Sequence, residues 1–279
     1  MKPRNHRKGR HLAFISLDGG PHHCMTCGAR VGPHLASQSR ARRRAAKGQD
    51  TMSTLSTYAH IEQRTDEWHA LRRGILTAST IGRLITPKTR QVAANLETRT
   101  LTAQLAAERL AGFTEENYVT GAMWRGIDDE PRAVEQYSKD HHPVTPMGFM
   151  IREWSGFKLG YSPDGLVGDD GLIEVKSRSP KEQVKVVIEA EIPAEHLAQL
   201  HCGLLVSGRA WVDYVSYCGG LPMWVKRVHP DQEWRDAILT AAAAFEAACN
   251  QAVADFTKAT AGLTWTERVD HSIPFGLEF

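Results

Sequence analysis

Ser162-Pro163-Asp164-Gly165, followed shortly by Gly171-Leu172-Ile173-Glu174-Val175-Lys176, is the stretch on which the fold turns. The second segment reads as a β-strand, whose successive side chains point to opposite faces. Glu174 and Lys176 therefore share one face, roughly 7 Å apart at their Cα atoms, while Ile173 and Val175 face a core. Pro-Asp-Gly is turn chemistry, since proline presets one backbone angle and glycine tolerates the next. Such a turn can bring the Asp164 carboxylate back to the end of the following strand.

Two carboxylates and a backbone carbonyl form a hard oxygen donor set of the kind Mg²⁺ or Mn²⁺ takes, completed by water and a substrate phosphate. A cation there would stabilise charge building on phosphorus and lower the pKa of a bound water. Lys176 stands where it can orient or deprotonate that water, or steady the developing charge. Upstream, Gly126-Ile127-Asp128-Asp129-Glu130 offers a further acid, Glu130, for a second cation or its water shell. Downstream, Ala198-Gln199-Leu200 lies on an expected helix, with Gln199 opposite the leucine stripe beside His196 and Gly203 and able to hydrogen-bond a water. Singly these are ordinary features: Glu-x-Lys is a common cross-strand ion pair, Ser-Pro-Asp-Gly a common turn, Glu130 a solvated carboxylate at a helix start. In this order and spacing they point to a metal-dependent nuclease.

The flanks are less specific. The chain has 279 residues and a net charge of +2, unevenly spread. Residues 1–50 hold eleven Lys and Arg against Asp18 and Asp50, a net +9, which leaves −7 for the remainder. A basic head suits contact with a polyanion, and a solvated tail has the same composition. The acidic remainder is compatible with DNA binding, because metal-holding carboxylates count as negative without their cations. No apolar run approaches the roughly 20 residues that span a bilayer, and residues 1–20 lack a signal-type apolar core. A cytosolic setting without membrane contact is therefore expected. The five cysteines form no disulfide framework. His22-His23-Cys24-Met25-Thr26-Cys27-Gly28 is compatible with a structural Zn²⁺ on Cys24, Cys27, His22 and His34, with His11 also in reach, or with a thiol pair in a loose tail. The chain is thus expected to divide into a basic extension, 1–52, and a packed domain, 53–279.

Within that domain, Thr65-Asp66-Glu67-Trp68 has capping character, and Trp68, Leu71 and Ile75 recur at helical spacing. Further helices are expected over Ser79 to Ile85, over about 91–111 with Val92, Leu96, Leu101 and Leu105 inward, and from Pro131 with Ala133, Val134 and Tyr137 on one face. Residues 145–152 and 156–161 read as a hairpin, 171–177 as a strand, 194–206 as a helix, and Trp211 to Tyr217 and Met223 to Val228 as strands. A last helix starts near Asp231, with Trp234, Ile238, Phe245, Cys249, Ala252 and Phe256 on one side. This order predicts one α/β domain around a central mixed sheet flanked by helices.

Over roughly 60–240 the residues resemble the lambda exonuclease, or YqaJ-like viral recombinase, group of the PD-(D/E)xK nuclease superfamily. The resemblance is carried by Trp68-His69-Ala70-Leu71-Arg72-Arg73-Gly74-Ile75-Leu76-Thr77-Ala78-Ser79, by the Gly126 to Glu130, Ser162 to Gly165 and Glu174 to Lys176 blocks, and by His196-Leu197-Ala198-Gln199. It implies a restriction-endonuclease-like core, with Asp164, Glu174 and the Val175 carbonyl as ligands for Mg²⁺ or Mn²⁺. It also implies Lys176 on the attacking water, Glu130 and Gln199 in the second-metal and water network, and a DNA 5′-phosphate pocket at Arg72 and Ser79. An Arg guanidinium and a hydroxyl at a helix start suit a terminal phosphate; a surface ion pair of Arg72 with Asp66 or Glu67, and a plain cap at Ser79, are the alternatives. The implied activity is 5′→3′ digestion of double-stranded DNA ends, leaving 3′ tails for phage-type recombination, in the host cytoplasm if phage-encoded. The implied partners are duplex DNA, a single-strand annealing protein and further copies of the chain in a trimer. An endonuclease of the same superfamily and a non-catalytic DNA-binding module remain competing readings. Two stretches depart from the family pattern: Ser177-Arg178-Ser179-Pro180, and the region before residue 53.

Overall fold

The structure, a computed structural model, describes residues 53–115 and 120–269. Cys24, Cys27, His22 and His34 lie outside the described residues. The strands are β1 Thr54–Tyr58, β2 Leu76–Thr77, β3 Ile85–Thr86, β4 Gln91–Val92, β5 Val144–Thr145, β6 Phe149–Trp154, β7 Phe157–Tyr161, β8 Gly165–Val167, β9 Gly171–Ser177, β10 Trp211–Tyr217 and β11 Trp224–Val228. The helices are α1 Asp66–Arg72, α2 Ala78–Ile81, α3 Leu96–Ala111, α4 Gly121–Asp140, α5 Pro180–Glu189, α6 Ala194–Ser207 and α7 Gln232–Ala259.

The α/β class is as expected, but the strands divide into two mixed sheets. One has the order β1-β6-β7-β2 and the other β11-β10-β9-β8-β5, with a separate β3-β4 ribbon. The division falls where Ser162-Pro163-Asp164 carries the chain from β7 to β8, and proline there can donate nothing to a ladder. In the second sheet β9 runs parallel to β10, pairing Glu174 with Tyr214 and Lys176 with Ser216. On its other edge β8 pairs antiparallel only as far as Gly165 with Ile173. Beyond Ile173 that edge of β9 is left to side chains.

The alternation along β9 sorts its residues between two cores. Leu172 joins the larger cluster, built with Tyr161 of β7, Leu200 and Leu204 of α6, and Ile238 and Phe245 of α7. Ile173 and Val175 join the smaller one, with Ala133 and Tyr137 of α4 and Val215 of β10. Both faces of β9 are therefore covered, and Glu174 is only 2% exposed rather than displayed on a surface. Helix α7 has the length and composition of a membrane-crossing helix. Its Trp234, Ile238, Phe245 and Cys249 are nevertheless buried, so it is a core helix of the packed domain.

Several boundaries differ from expectation. Helix α3 begins at Leu96, capped by Asn95, whose side chain accepts the Thr98 N–H at 2.9 Å. Gln91 and Val92 instead pair with Thr86 and Ile85, which leaves Val92 and Leu96 exposed while Leu101 and Leu105 are buried. Residues 78–85 form a short helix, a 3₁₀ turn at Gly82–Leu84 and then β3. The helix expected to begin at Pro131 starts ten residues earlier, after the Thr120 cap. Pro131 sits exposed inside it, and burial of Asp129, Ala133 and Tyr137 along one face carries the helix through the missing hydrogen bond. Helix α5 is not among the expected helices; it opens on a capping box of Ser179 and Glu182, with Pro180 at the first helical position.

The turn between α1 and β2 is fastened from behind by α3. The Gly74 N–H donates to Glu108 Oε2 at 2.7 Å, and Arg109 Nε donates to the Gly74 carbonyl at 2.8 Å. Arg109 continues to Glu246 of α7 through two bonds of 2.9 and 2.8 Å. Glu108 is 6% exposed, so Glu108→Ala leaves the Gly74 N–H without its acceptor, a cost of about 2 kcal/mol. The expected result is a lower urea midpoint with an unchanged m value.

Candidate active site

The centre of the site is the buried Glu174 carboxylate, held by donors from three elements. Oε1 accepts from Lys176 Nζ of β9 at 2.8 Å and from Gln199 Nε2 of α6 at 2.5 Å. Oε2 accepts from the Tyr161 hydroxyl of β7 at 3.2 Å. Burial and the neighbouring carboxylates push the Tyr161 hydroxyl well above its ordinary pKa, so it remains a donor. Gly203 of α6 lets the tyrosine ring sit there, because a Cβ at that position would lie 2.7 Å from the ring carbon Cζ.

Asp164 reaches the uncovered edge of β9, where its Oδ2 accepts the Val175 N–H at 2.6 Å. A strand residue's N–H and C=O leave on the same side, so the Val175 carbonyl faces that edge too. Burial, then the charges of Glu174 and Glu130, hold the Asp164 pKa well above the carboxylate range, against the opposing pull of Lys176 and the Val175 N–H. Burial works against the Lys176 ammonium, but Glu174 and Asp164 more than offset it and raise its pKa.

Glu130 belongs to α4, which packs against the other face of β9. Its carboxylate is not bonded to this group; it pairs with Arg64 Nη2 at 2.5 Å, although its charge is felt at Asp164. The buried acid of that block is its neighbour Asp129, which accepts from Ser177 Oγ at 2.6 Å at the end of β9.

Arg72 does not pair with Asp66 or Glu67. It stacks on Trp68, with Cζ 4.0 Å from the ring centroid, and donates from Nη1 to Ser162 Oγ at 3.1 Å. Trp68 Nε1 donates to the same oxygen at 2.9 Å. Burial lowers the Arg72 pKa to about 10, with Glu108 acting the other way. Ser79 is exposed and hydrogen-bonds Thr77 Oγ1 at 3.1 Å, so it is not joined to Arg72. The serine joined to Arg72 is Ser162, two residues before Asp164.

The structure thus brings Asp164, Glu174, Lys176, Val175 and Gln199 together, with Arg72 tied to the same turn through Ser162. Ser162 stood in the motif, but its partnership with Arg72 had no local signal. Tyr161 and Arg64 carried none either, since their partners Glu174 and Glu130 lie 13 and 66 positions away on other elements.

Among the described residues no three His, Cys, Asp or Glu side chains are drawn together as a ligand group. The smaller set still fits a hard divalent ion. Asp164, Glu174 and the Val175 carbonyl supply oxygen donors at one strand edge. Burial first, and the charges of Glu174 and Glu130 second, raise the Asp164 pKa, and a cation beside it would relieve the second of these.

The fold is shared with solved exonucleases. An alkaline exonuclease from Laribacter hongkongensis, LHK-Exo, superposes with a TM-score of 0.64 at 31% identity, over 72% of this chain and 100% of that one. LHK-Exo in complex with dAMP gives 0.62 at 30% identity, over the same 72% and 100%. No curated protein matches the chain. The architecture is a nuclease fold, and its class is that of the phosphodiester hydrolases. Residues 67–210 match the YqaJ-like viral recombinase domain, and the chain belongs to that family.

A raised carboxyl pKa favours the native state at low pH and costs stability as pH climbs from the unfolded value through the folded one. Metal-free protein should therefore lose stability through that interval because of Asp164. Asp164→Asn, whose side-chain oxygen can still accept the Val175 N–H, should melt higher than wild type in EDTA at pH 8, and its advantage should shrink toward pH 4. Thermal melts across that range provide the check.

Proposed function

We propose that the protein is a divalent-metal-dependent exodeoxyribonuclease that digests one strand of duplex DNA ends 5′→3′ and leaves 3′ tails for recombination. The observation that carries this reading is the convergence of Asp164 and the Glu174–Lys176–Gln199 group on the uncovered edge of β9. Asp164, Glu174 and the Val175 carbonyl would hold the Mg²⁺ or Mn²⁺, with Glu130 serving a second ion or its waters once Arg64 yields. When bound, the ion supplies charge neutralisation at phosphorus and acidifies a water. Lys176 and Gln199 orient the attacking water, and the Lys176 ammonium steadies charge developing on the phosphate. Tyr161 keeps Glu174 aimed.

End selection falls to Arg72. A desolvated guanidinium bonded to a hydroxyl rather than to a carboxylate keeps its charge for a terminal 5′-phosphate. Ser162 lies beside it, and Ser79 would have to turn toward the phosphate to join. The dAMP complex of LHK-Exo supports a deoxynucleotide as the ligand class. Residues 53–279 act as the exonuclease domain and 1–52 as a basic appendage to it. Membership of the family supports an annealing protein and further copies of the chain as partners.

Glu174→Gln and Lys176→Ala should each lower hydrolysis of an end-labelled linear duplex by about 10³-fold or more while retaining the fold. Hydrolysis should stop in EDTA and return with Mg²⁺ or Mn²⁺. Near-wild-type turnover in either variant removes the assignment. Arg72→Ala should erase the preference for 5′-phosphorylated over 5′-hydroxyl ends; equal losses on both ends would remove the pocket. Closed circular duplex should survive, and nicking of it would indicate an endonuclease.

A further inference from the structure

The stretch following Lys176 departs from the family pattern, and its Arg178 is held unusually. The Arg178 N–H donates to the Tyr217 carbonyl at 2.8 Å, carrying the parallel β9–β10 ladder one residue past the strand end. With that extension Glu174, Lys176 and Arg178 fall on one face of the strand. The Arg178 side chain is then fixed by two contacts from Nη2, to the Tyr214 hydroxyl at 2.5 Å and to His196 Nε2 at 2.6 Å.

Both of those partners are neutral. Burial and the nearby charges of Lys176 and Arg178 lower the His196 pKa to about 3. A neutral imidazole that accepts at Nε2 carries its proton on Nδ1, and the bond from Arg178 occupies the Nε2 lone pair, so the ring is not free to act as a base. Burial raises the Tyr214 pKa, so its oxygen accepts as a phenol. Glu182 feels the Arg178 charge, but its carboxylate is engaged by the Ser179 N–H and hydroxyl in the α5 capping box. Among the described residues Arg178 has no ion-pair partner, and its Nε is buried without an acceptor. The result is a guanidinium clamped through Nη2 by neutral groups, one step along the strand from Lys176, whose Nη1 has no partner among the described residues. Its Nη1 donors suit the oxygens of an anion.

We infer that Arg178 is a DNA-backbone contact, clamped by Tyr214 and His196 so that it grips a phosphate adjoining the one cleaved at Lys176. The inference rests on the nuclease reading above and adds a residue that fixes the strand's register in the site.

The test is binding of a 5′-phosphorylated duplex in EDTA over a salt series, paired with steady-state hydrolysis in Mg²⁺, for wild type, Arg178→Gln, Arg178→Lys and Tyr214→Phe. Arg178→Gln should bind more weakly at low salt and reduce the slope of log K against log salt by about 0.9, the value of one phosphate contact. Its KM should rise more than its kcat falls. Tyr214→Phe keeps the charge and should keep the wild-type slope while weakening affinity. Arg178→Lys should likewise keep the slope but raise KM, which preserves the test should Arg178→Gln fail to fold. A wild-type slope in folded Arg178→Gln, or wild-type affinity and KM in Arg178→Lys, overturns the inference. Wild-type protein that cuts no DNA overturns the nuclease reading instead, and the salt slopes then report on the contact by themselves.

Discussion

A single buried carboxylate is shared between the two sheets of this protein. An ionised group in a protein interior is costly unless its oxygens are satisfied, and Glu174 is satisfied from three directions. Tyr161 reaches it from the end of β7 in one sheet, Lys176 from its own strand in the other, and Gln199 from α6. The chain's path follows from that requirement. Helix α6 must come close enough for Gln199 to touch, and Gly203, one turn further along, is the position where the Tyr161 ring leaves no room for a side chain. The same arrangement sets the Lys176 ammonium beside Glu174 and Asp164, which raise its pKa against the effect of burial.

Around this centre the positive groups are handled in two ways. Arg64 and Arg109 are spent on carboxylates, Glu130 and Glu246, and serve the fold or hold an acid in reserve. Arg72 and Arg178 are bonded to hydroxyls, imidazole or aromatic faces instead. A cation with neutral partners retains its field; Arg72 is tied to the turn that carries Asp164, and Arg178 continues the strand face that carries Lys176. The polarity of the site is thus written in what each arginine is not paired with as much as in where it stands.

Strand β9 and its turn were legible in the sequence because their signals are local. Alternation placed Glu174 and Lys176 together, and glycines marked the boundaries. Helices α6 and α7 were legible from their apolar stripes. Much of what was not legible depended on distant partners, although the Ser179–Glu182 capping box of α5 and the Asn95 cap of α3 are local. Gly126 and Pro131 argue against a helix locally, with proline costing about 3 kcal/mol in a helix interior, yet burial of Asp129, Ala133 and Tyr137 against β9 carries α4 through them. At the start of α3, Val92 and Leu96 fit a helical stripe, but the Asn95 cap and the β3–β4 pairing prevail. Ser162 was visible as part of a turn, but its tie to Arg72 spans 90 positions of sequence. Burial of Glu174 was likewise invisible, since alternation says which face a residue takes and not what covers it.

Pro163 has a consequence out of proportion to its size. It alone separates the hydroxyl that steadies Arg72 from the acid that meets Val175, its φ is locked, and its carbonyl is pinned by Gln63 at 2.9 Å. Three consecutive residues thus fasten α1, through Trp68 and Arg72 on Ser162, to the edge of β9, through Asp164 on Val175.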